Sequence, residues 1–290
     1  MFESFKNYYF IILLIIFSCS DGQDEKDYES AIVLDSIILP KVINETSGLE
    51  ILNEVFITHN DSGGEPRLYF FNLNGEIINS IKLDKEPFWE IYNYDWEDIT
   101  ADEDYIFIAD TGNNFGNRNN LNIIKVKTND LSIDGKIDVA YYDQETFTPR
   151  PKHKYDAEAL FLIEDKIAVL SKDRRNLLTD LYLIDKESIS RQLLESKITY
   201  NVNSLVTGGD FNEELSLLAL VSYNPRGTQY LILFKDFSLE NLADKEFRKF
   251  KIPIKSAQIE AIKIIDNKTF WVTSEDEGIG SPYMYKIGVK

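Results

Sequence analysis

Tyr155-Asp156-Ala157-Glu158-Ala159-Leu160 is the clearest copy of a short motif that recurs along this chain. In each copy, acidic or small polar residues lead straight into an apolar run that is typical of a β-strand. The copies align on one position, which is held in chain order by Ser47, Glu97, Glu158, Thr207 and Glu260. Because all five side chains carry oxygen, the motif predicts five equivalent polar positions at the starts of five strands.

A second pattern follows each copy of the motif and consists of a β-rich run that ends in polar residues. The runs cover residues 55–61, 106–114, 167–174, 218–224 and 270–276. Successive motif positions lie 50, 61, 49 and 53 residues apart. The second pattern advances by 51, 62, 51 and 52 residues when it is read at His59, Asp110, Lys172, Tyr223 and Glu275. Both patterns lengthen at the same repeat, so they belong to one unit, and strand-rich repeats of about 50 residues are typical of propeller blades.

The strand count predicts how the ring of blades closes. Each of the first four units can be read as four strands; in the third, the outer pair is predicted at residues 180–185 and 191–198. The fifth unit ends after its third strand, and one spare strand at residues 31–39 precedes the first motif. A spare strand that completes the last blade would seal the ring and remove its open edge. We therefore predict an all-β fold, a single five-bladed β-propeller over residues 31–290; six blades would require extra structure at residues 149–154.

Composition narrows the classes of partner. The formal charge is −18, and a nucleic-acid binder would need clustered Lys and Arg to neutralise phosphates. We therefore expect no nucleic-acid partner, and we expect a monomer. The chain contains two histidines and one cysteine, so a zinc site in the propeller is not expected and no intrachain disulfide can form.

The first residues predict a lipoprotein. Residues 8–17 form an apolar run that is too short to span a bilayer but suits a signal-peptide core. Ile16-Phe17-Ser18-Cys19 resembles a bacterial lipobox, which implies a signal peptide at residues 1–18 and lipidation of Cys19. Residues 19–30 are then an acidic flexible tether, similar to those of lipoproteins exposed at the bacterial outer surface. The alternative is a signal peptide in which the cysteine is incidental.

In a propeller, the inner strands begin at one mouth of the central channel, so the motif positions predict a ring around the axis. Three carboxylates and two hydroxyls that face each other carry a large electrostatic penalty, which a hard divalent cation relieves. Ca²⁺ accepts six to eight oxygen ligands in loose geometry, and Mg²⁺ remains open as an alternative. The expected metal ligands are Ser47, Glu97, Glu158, Thr207 and Glu260. The competing interpretation is that these side chains hydrogen-bond backbone groups and hold the blades together.

The second pattern places further polar residues around the same mouth. We expect Lys172, Arg174 and Arg118 to bind the phosphate or carboxylate of a small anionic ligand, because guanidinium groups bridge two oxygens. Asp61 or Asp110 is the expected general base that orients a water molecule. The expected ligand-binding residues are His59, Asn60, Asn113, Asn114, Arg118, Lys172, Arg174 and Glu275. The alternative is that these residues only form the turns at strand ends.

Two resemblances bear on this prediction. The ordered ring of Ser and Glu positions resembles the calcium-activated nucleotidase (apyrase) family, five-bladed propellers whose axial Ca²⁺ is held by Ser and Glu side chains. The stretches at residues 59–63, 95–99, 108–114 and 155–160, together with Arg118, look like a group of bacterial secreted propellers. That group is similar to the esterase-like phytase domain and to SdiA-regulated proteins. The second resemblance spans most of the domain and implies the propeller fold and its site.

The sequence thus supports competing functions. The first is a lipid-anchored protein of the bacterial outer membrane, exposed at the cell surface, that binds Ca²⁺ and hydrolyses a phosphoester. The second is a non-catalytic propeller that binds a glycan, a peptide or a protein partner at the same mouth. In a third interpretation, the ring is a metal-free hydrogen-bond network.

Overall fold

The structure is a computed structural model, and it describes residues 27–83, 90–254, 257–276 and 280–290. The predicted signal peptide, Cys19 and the tether up to residue 26 lie outside these ranges. Within them, no helix is both long enough and apolar enough to cross a membrane.

The strands form five sheets that follow one another along the chain. β1 (Ile32–Ile38) comes first. Blade 1 contains β2 (Thr46–Leu52), β3 (Val55–Asn60), β4 (Arg67–Phe71) and β5 (Ile77–Lys82). Blade 2 contains β6 (Asp98–Ala101), β7 (Tyr105–Asp110), β8 (Asn122–Lys127) and β9 (Ile133–Tyr141). Blade 3 contains β10 (Ala157–Ile163), β11 (Lys166–Ser171), β12 (Thr179–Asp185) and β14 (Ile198–Tyr200). A short strand, β13 (Gln192–Leu194), lies between β12 and β14 in the chain but does not belong to blade 3. Blade 4 contains β15 (Leu205–Asn212), β16 (Leu217–Tyr223), β17 (Gln229–Phe234) and β18 (Phe247–Lys251). Blade 5 contains β19 (Ile259–Ile264), β20 (Thr269–Ser274) and β21 (Tyr283–Gly288). Short 3₁₀ helices lie at Lys41–Ile43 and Leu239–Asp244.

The spare first strand closes the ring. β1 pairs antiparallel with β21, with Val33 opposite Ile287 and Ile38 opposite Tyr283. Blade 5 therefore has the order β1-β21-β20-β19 and joins the first strand to the last. The prediction of a five-bladed, four-stranded β-propeller sealed by the N-terminal strand is confirmed, and the connection at residues 149–154 adds no sixth blade.

The prediction that residues 191–198 form the outer strand of blade 3 was wrong. β13 instead pairs parallel with β9 and extends blade 2 to five strands, whereas β14 is the outer strand of blade 3. Leu194 is buried in the apolar cluster between blades 2 and 3. The Gln192 side chain hydrogen-bonds both the N–H and the C=O of Asp185 at 2.9 and 2.8 Å. Local alternation of polar and apolar residues does not indicate which neighbouring sheet receives such a strand.

Residues 28–30 of the predicted tether contact blade 4 before the chain enters β1. The Lys251 N–H donates to Glu29 O at 2.8 Å, and the Ala31 N–H donates to Lys251 O at 2.8 Å. The ring of Tyr28 packs edge-on against Tyr230, with centroids 5.6 Å apart. The segment therefore links the outer edge of blade 4 to blade 5.

The apolar core lies between the blades. Five clusters of buried side chains fill the five interfaces between neighbouring blades, including Trp96 between blades 1 and 2 and Phe250 between blades 4 and 5. Apolar packing between the sheet faces holds the blades together. The starts of the inner strands are therefore not needed for the apolar core and can carry polar side chains toward the axis.

Candidate functional site

A β-bulge marks the motif position on four of the inner strands. The pairing register shifts just after Ser47 and at Glu158, Thr207 and Glu260. In blade 2, the Glu97 N–H donates to Ala109 O at 2.9 Å although Asp98 is the residue paired with Ala109. An extra residue in one strand bends it and redirects its side chain. The repeated motif therefore encodes a repeated bulge at the mouth.

The two hydroxyl-bearing ring residues bond to the next blade. Ser47 Oγ donates to Glu97 O at 2.5 Å, and Thr207 Oγ1 donates to Ile259 O at 2.7 Å. Both side chains are buried. These bonds join neighbouring inner strands, as the interpretation of the ring as a blade-to-blade network expects.

The carboxylates gather on one side of the ring. Oxygen atoms of Asp61, Asp95 and Glu97 lie within 4.8 Å of one another, and so do those of Glu97, Asp156 and Glu158. Glu97 belongs to both groups. We call these five residues of blades 1 to 3 the acidic cluster.

Basic side chains compensate the blade 3 half of the acidic cluster. Lys172 Nζ lies 2.5 Å from Glu158 Oε2, and Arg174 contacts Asp156 at 2.9 Å and Glu158 at 3.3 Å. Burial would lower the pKa of Lys172, but the charges of Glu158 and Glu260 outweigh burial and raise it above its ordinary value. Arg174 also donates to the side chain of Asn114 at the rim. These charges form a closed set of ion pairs.

The other half of the acidic cluster, Asp61, Asp95 and Glu97 from blades 1 and 2, carries excess negative charge. Burial, followed by the charges of Asp95, Glu275 and Glu260, raises the pKa of Asp61 to about 9. Burial and then the Glu158 charge raise the pKa of Glu97 well above its usual range, and burial also raises the pKa of Asp95. Asp61 Oδ1 is buried and finds no hydrogen-bond donor among the residues that the structure describes. This half of the cluster must take up protons or a cation.

Gly112 lies directly on these carboxylates. Its N–H donates to Asp95 O at 3.1 Å. A methyl group at this position would overlap the carboxylates of Glu97 and Asp95. Any side chain at residue 112 would therefore force the Glu97 and Asp95 carboxylates to move.

Two of the residues predicted near the mouth make their contacts within blade 1 and the segments that lead into blades 1 and 2, and one of them is fully buried. His59 is fully buried, packs edge-on against Trp96, and shares a 3.2 Å hydrogen bond from Nδ1 with Asn60 O. Burial lowers the pKa of the His59 imidazole to about 4, so this side chain is uncharged at neutral pH. The Asn60 side chain donates to Val42 O at 2.9 Å.

Three further predicted residues brace the loop of blade 2. Asp110, one of the two expected bases, accepts from Arg118 at 2.8 Å and from Asn122 at 3.2 Å. Arg118 also donates to Gly112 O at 2.6 Å, so its guanidinium turns back into its own blade. The Asn113 side chain donates to Tyr155 O at 2.7 Å and links blades 2 and 3.

The remaining predicted residues do meet at the mouth. Lys172 and Arg174 lie on the acidic cluster, and Asn114 bridges Arg174 and Asp95. Glu275 is partly buried, and its charge acts on Asp61.

Sequence reasoning missed two members of the cluster. Asp95 and Asp156 each stand two residues before a ring glutamate, as Asp-Xaa-Glu. Residues two apart in an extended strand point to the same side, so this repeated spacing was the available signal.

Two further polar groups lie in the channel. The Asp98 carboxylate accepts from the backbone N–H groups of Leu160 at 2.8 Å and Gly209 at 3.2 Å, which belong to blades 3 and 4. Glu50, Asp210 and Lys263 each stand three residues after a ring position. Lys263 pairs with Glu50 at 2.6 Å and with Asp210 at 3.0 Å. The channel is therefore bridged by buried polar contacts.

Comparison with known proteins supports the fold. No family model matches this sequence, and no curated protein matches it. Among solved structures, an exo-β-1,3-galactanase from Clostridium thermocellum is similar over 90% of this chain and 63% of its own, with 11% identity and a TM-score of 0.56. A PQQ-bound aldose sugar dehydrogenase from Streptomyces coelicolor is similar over 90% of this chain and 98% of its own, with 10% identity and a TM-score of 0.50. At such identities the likeness concerns the β-propeller fold alone.

Proposed function

We propose that the mouth of the propeller binds a divalent cation, expected to be Ca²⁺, between Asp61, Asp95 and Glu97. The observation that carries the proposal is the convergence of three carboxylates within 4.8 Å, while the salt bridges of Lys172 and Arg174 go to Glu158 and Asp156 instead. Burial, and after it the charge of neighbouring carboxylates, raises the pKa of all three carboxyls, so three bare negative charges are unfavourable there. Oxygen-only ligands suit Ca²⁺, with Mg²⁺ as the competing ion.

The proposed ion position lies on the blade 1 and 2 side of the ring, whereas the sequence predicted an ion at the ring centre. Glu158 is already neutralised by two basic groups, and the hydroxyls of Ser47 and Thr207 are engaged with backbone oxygens. Glu158 and Glu260 then contribute negative charge around the cation.

A cation at this position would attract an anionic ligand. Arg174 adjoins the acidic cluster with 21% of its side chain exposed, whereas the Lys172 side chain is 4% exposed. We therefore expect a phosphate or carboxylate group to bridge the cation and Arg174. In hydrolysis of a phosphoester there, water would attack phosphorus and the alcohol would leave; the cation would supply charge stabilisation and make that water more acidic. We further propose, on the basis of residues 8–19, that Cys19 anchors the protein to the outer membrane.

The second candidate is a non-catalytic propeller that binds a glycan, peptide or protein at the mouth. The position of Arg118 favours it, because its guanidinium, 15% exposed against 21% for Arg174, is already held by Asp110 and Gly112 O. Release of phosphate from p-nitrophenyl phosphate, ATP and phytate, with Ca²⁺ and with EDTA, separates the two candidates. Calcium-dependent turnover that is lost in Arg174→Ala supports the hydrolase, and Ca²⁺ binding without turnover supports the binding protein.

Calcium is expected to stabilise the purified protein against heat. At 100 times its Kd, a ligand that binds only the folded state adds about 2.7 kcal/mol. For a chain of this size, that corresponds to a rise in melting temperature of roughly 5–10 °C. Asp61→Asn and Glu97→Gln should remove most of the rise, because each deletes a proposed ligand. The measurement is thermal unfolding in EDTA and in millimolar Ca²⁺ or Mg²⁺.

Two further variants locate the ion. Asp104→Asn alters an exposed acid outside the mouth and should respond to Ca²⁺ like the wild type. Glu158→Gln should retain most of the response if the ion lies between Asp61, Asp95 and Glu97, and should lose it if the ion lies at the ring centre. No response in the wild-type protein would contradict the cation site itself.

Calcium affinity is expected to rise with pH between 6 and 9. The folded-state pKa of Asp61, about 9, lies above its ordinary value of 3.8, so the carboxyl is protonated at neutral pH and Ca²⁺ must displace the proton. The same sign means that the metal-free protein loses stability as pH rises from about 4 to 9. Calorimetric titration in buffers of different ionisation enthalpy should detect the released protons. Equal affinities at pH 6 and pH 9 would exclude displacement of a proton.

A further inference from the structure

A second groove lies on blade 2, outside the acidic cluster. It encloses about 390 Å³, within the range of small-molecule sites. Its walls come from the chain leading into blade 2, the loop before β8, β9, and Arg191 on the approach to β13. None of the residues that form the acidic cluster lines it.

Two exposed tyrosines stand side by side in this groove. Tyr92 and Tyr94 are 50% and 51% exposed, and their ring centroids are 5.5 Å apart. The Tyr92 hydroxyl donates to the Glu90 carboxylate at 3.2 Å, and the Arg118 guanidinium lies 5.5 Å from the centre of the Tyr94 ring. The two ring planes are tilted by 50°, so each ring offers a separate apolar surface beside polar groups.

Asn122, at the start of β8, holds one wall of the groove in place. Asn122 lines the groove and is 5% exposed. Its amide nitrogen donates to Asp110 Oδ2 at 3.2 Å and to Asn120 O at 3.1 Å, which fixes the orientation of the amide. Asn122 Oδ1 finds no donor within the part of the chain that the structure describes. The accessible surface of Oδ1 is nearly zero, so Asn122 shapes the wall of the groove rather than bonding a ligand in it.

The charges of the lining are balanced. Glu90 and Asp138 supply two carboxylates, and Lys136 and Arg191 supply two basic groups. Lys136 Nζ donates to Glu90 O at 2.9 Å, and Arg191 donates to Asn119 O at 3.1 Å. Such a lining offers many donors and acceptors without a net charge that would select an anion or a cation.

We infer that this groove is a binding site for a neutral carbohydrate, distinct from the mouth. The apolar C–H face of one sugar ring packs on the exposed ring of Tyr92, and Tyr94 borders the sugar at an angle of 50° to Tyr92. The sugar hydroxyls bond the charged groups of the lining. The volume accommodates a mono- or disaccharide.

The test is titration of the intact protein with a defined set of neutral sugars. The set comprises the methyl glycosides of glucose, galactose and mannose, together with N-acetylglucosamine, cellobiose and lactose. Saturation-transfer NMR detects binding, and calorimetry measures it. We expect at least one sugar to bind saturably with a Kd on the order of 1 mM.

The variants separate this groove from other surfaces. Tyr92→Ala should weaken binding about tenfold through loss of the stacking face. Tyr92→Phe keeps that face and should bind like the wild type. Tyr142→Ala removes another exposed tyrosine, away from this groove, and should also have no effect. Binding should be unchanged in EDTA, since the inference does not depend on the proposed cation.

Three results would overturn the inference. They are the absence of binding by every sugar in the set, full binding by Tyr92→Ala, and loss of binding in EDTA, which would place the sugar at the mouth. Because the cation is tested by thermal unfolding, failure of one proposal leaves the other standing.

Discussion

Lys172→Met is expected to destabilise the protein by about 3–5 kcal/mol at pH 7. The Lys172 and Glu158 side chains are 4% and 3% exposed and lie 2.5 Å apart. Methionine fills the volume of the lysine stem but leaves Glu158 buried with only the 3.3 Å contact of Arg174 for compensation. For a chain of this size, the melting temperature should fall by roughly 10 °C. Chemical denaturation gives the free energy of unfolding directly.

A double variant tests the electrostatic cause of that loss. Adding Glu158→Gln to Lys172→Met removes the stranded charge and should recover much of the stability. Lys166→Met provides the matched control, because Lys166 pairs with Asp165 at 3.0 Å on the surface and the variant should stay close to wild type in stability. A double variant no more stable than Lys172→Met would show that packing, rather than charge, is responsible.

The Lys172→Met defect should shrink as pH falls. Burial favours the protonated form of Glu158, and Lys172 supplies the charge that most strongly opposes this, so the Glu158 pKa should be higher in the variant than in the wild type. A carboxyl whose folded-state pKa is raised is most favourable to folding at low pH, where it is protonated in both states. The difference in unfolding free energy between variant and wild type should therefore be smaller at pH 5 than at pH 8.

Asp98→Ala is expected to cost about 3 kcal/mol or more. One buried carboxylate accepts from Ile99, Leu160 and Gly209 at 2.8, 2.8 and 3.2 Å, so alanine leaves buried N–H groups in blades 2, 3 and 4 without this acceptor. A five-bladed ring is narrow enough for one side chain to reach both other blades. Loss of the Asp98 carboxylate should loosen the inner strands of blades 2, 3 and 4 at the same time.

Hydrogen exchange distinguishes this mechanism from general destabilisation. The Leu160 and Gly209 amides should lose protection in Asp98→Ala before the outer strands do. Asp98→Asn retains one acceptor oxygen and should lie between wild type and alanine in stability. Asp104→Ala, at an exposed position, should change stability by at most about 0.5 kcal/mol. Unchanged protection of both amides in Asp98→Ala would contradict the bridging role.

The sequence by itself determined the number of blades and the closure of the ring. The repeat near 50 residues counts sheets because each blade is a local unit built from consecutive strands. The spare strand at residues 31–39 could be assigned to blade 5 because only that unit lacked a fourth strand. The ring positions were visible for the same reason, since each stands at the start of an inner strand.

Only the tertiary structure decided what those positions do. Whether a carboxylate is compensated depends on burial and on side chains from other parts of the fold: the Lys172 and Arg174 ion pairs lie on one side of the mouth, while the charges of Glu260 and Glu275 act on Asp61 from blade 5. The assignment of β13 to blade 2 likewise depended on the burial of Leu194 between two sheets. Local periodicity specifies strands and their order, whereas charge, protonation and edge pairing are set by neighbours that are distant along the chain.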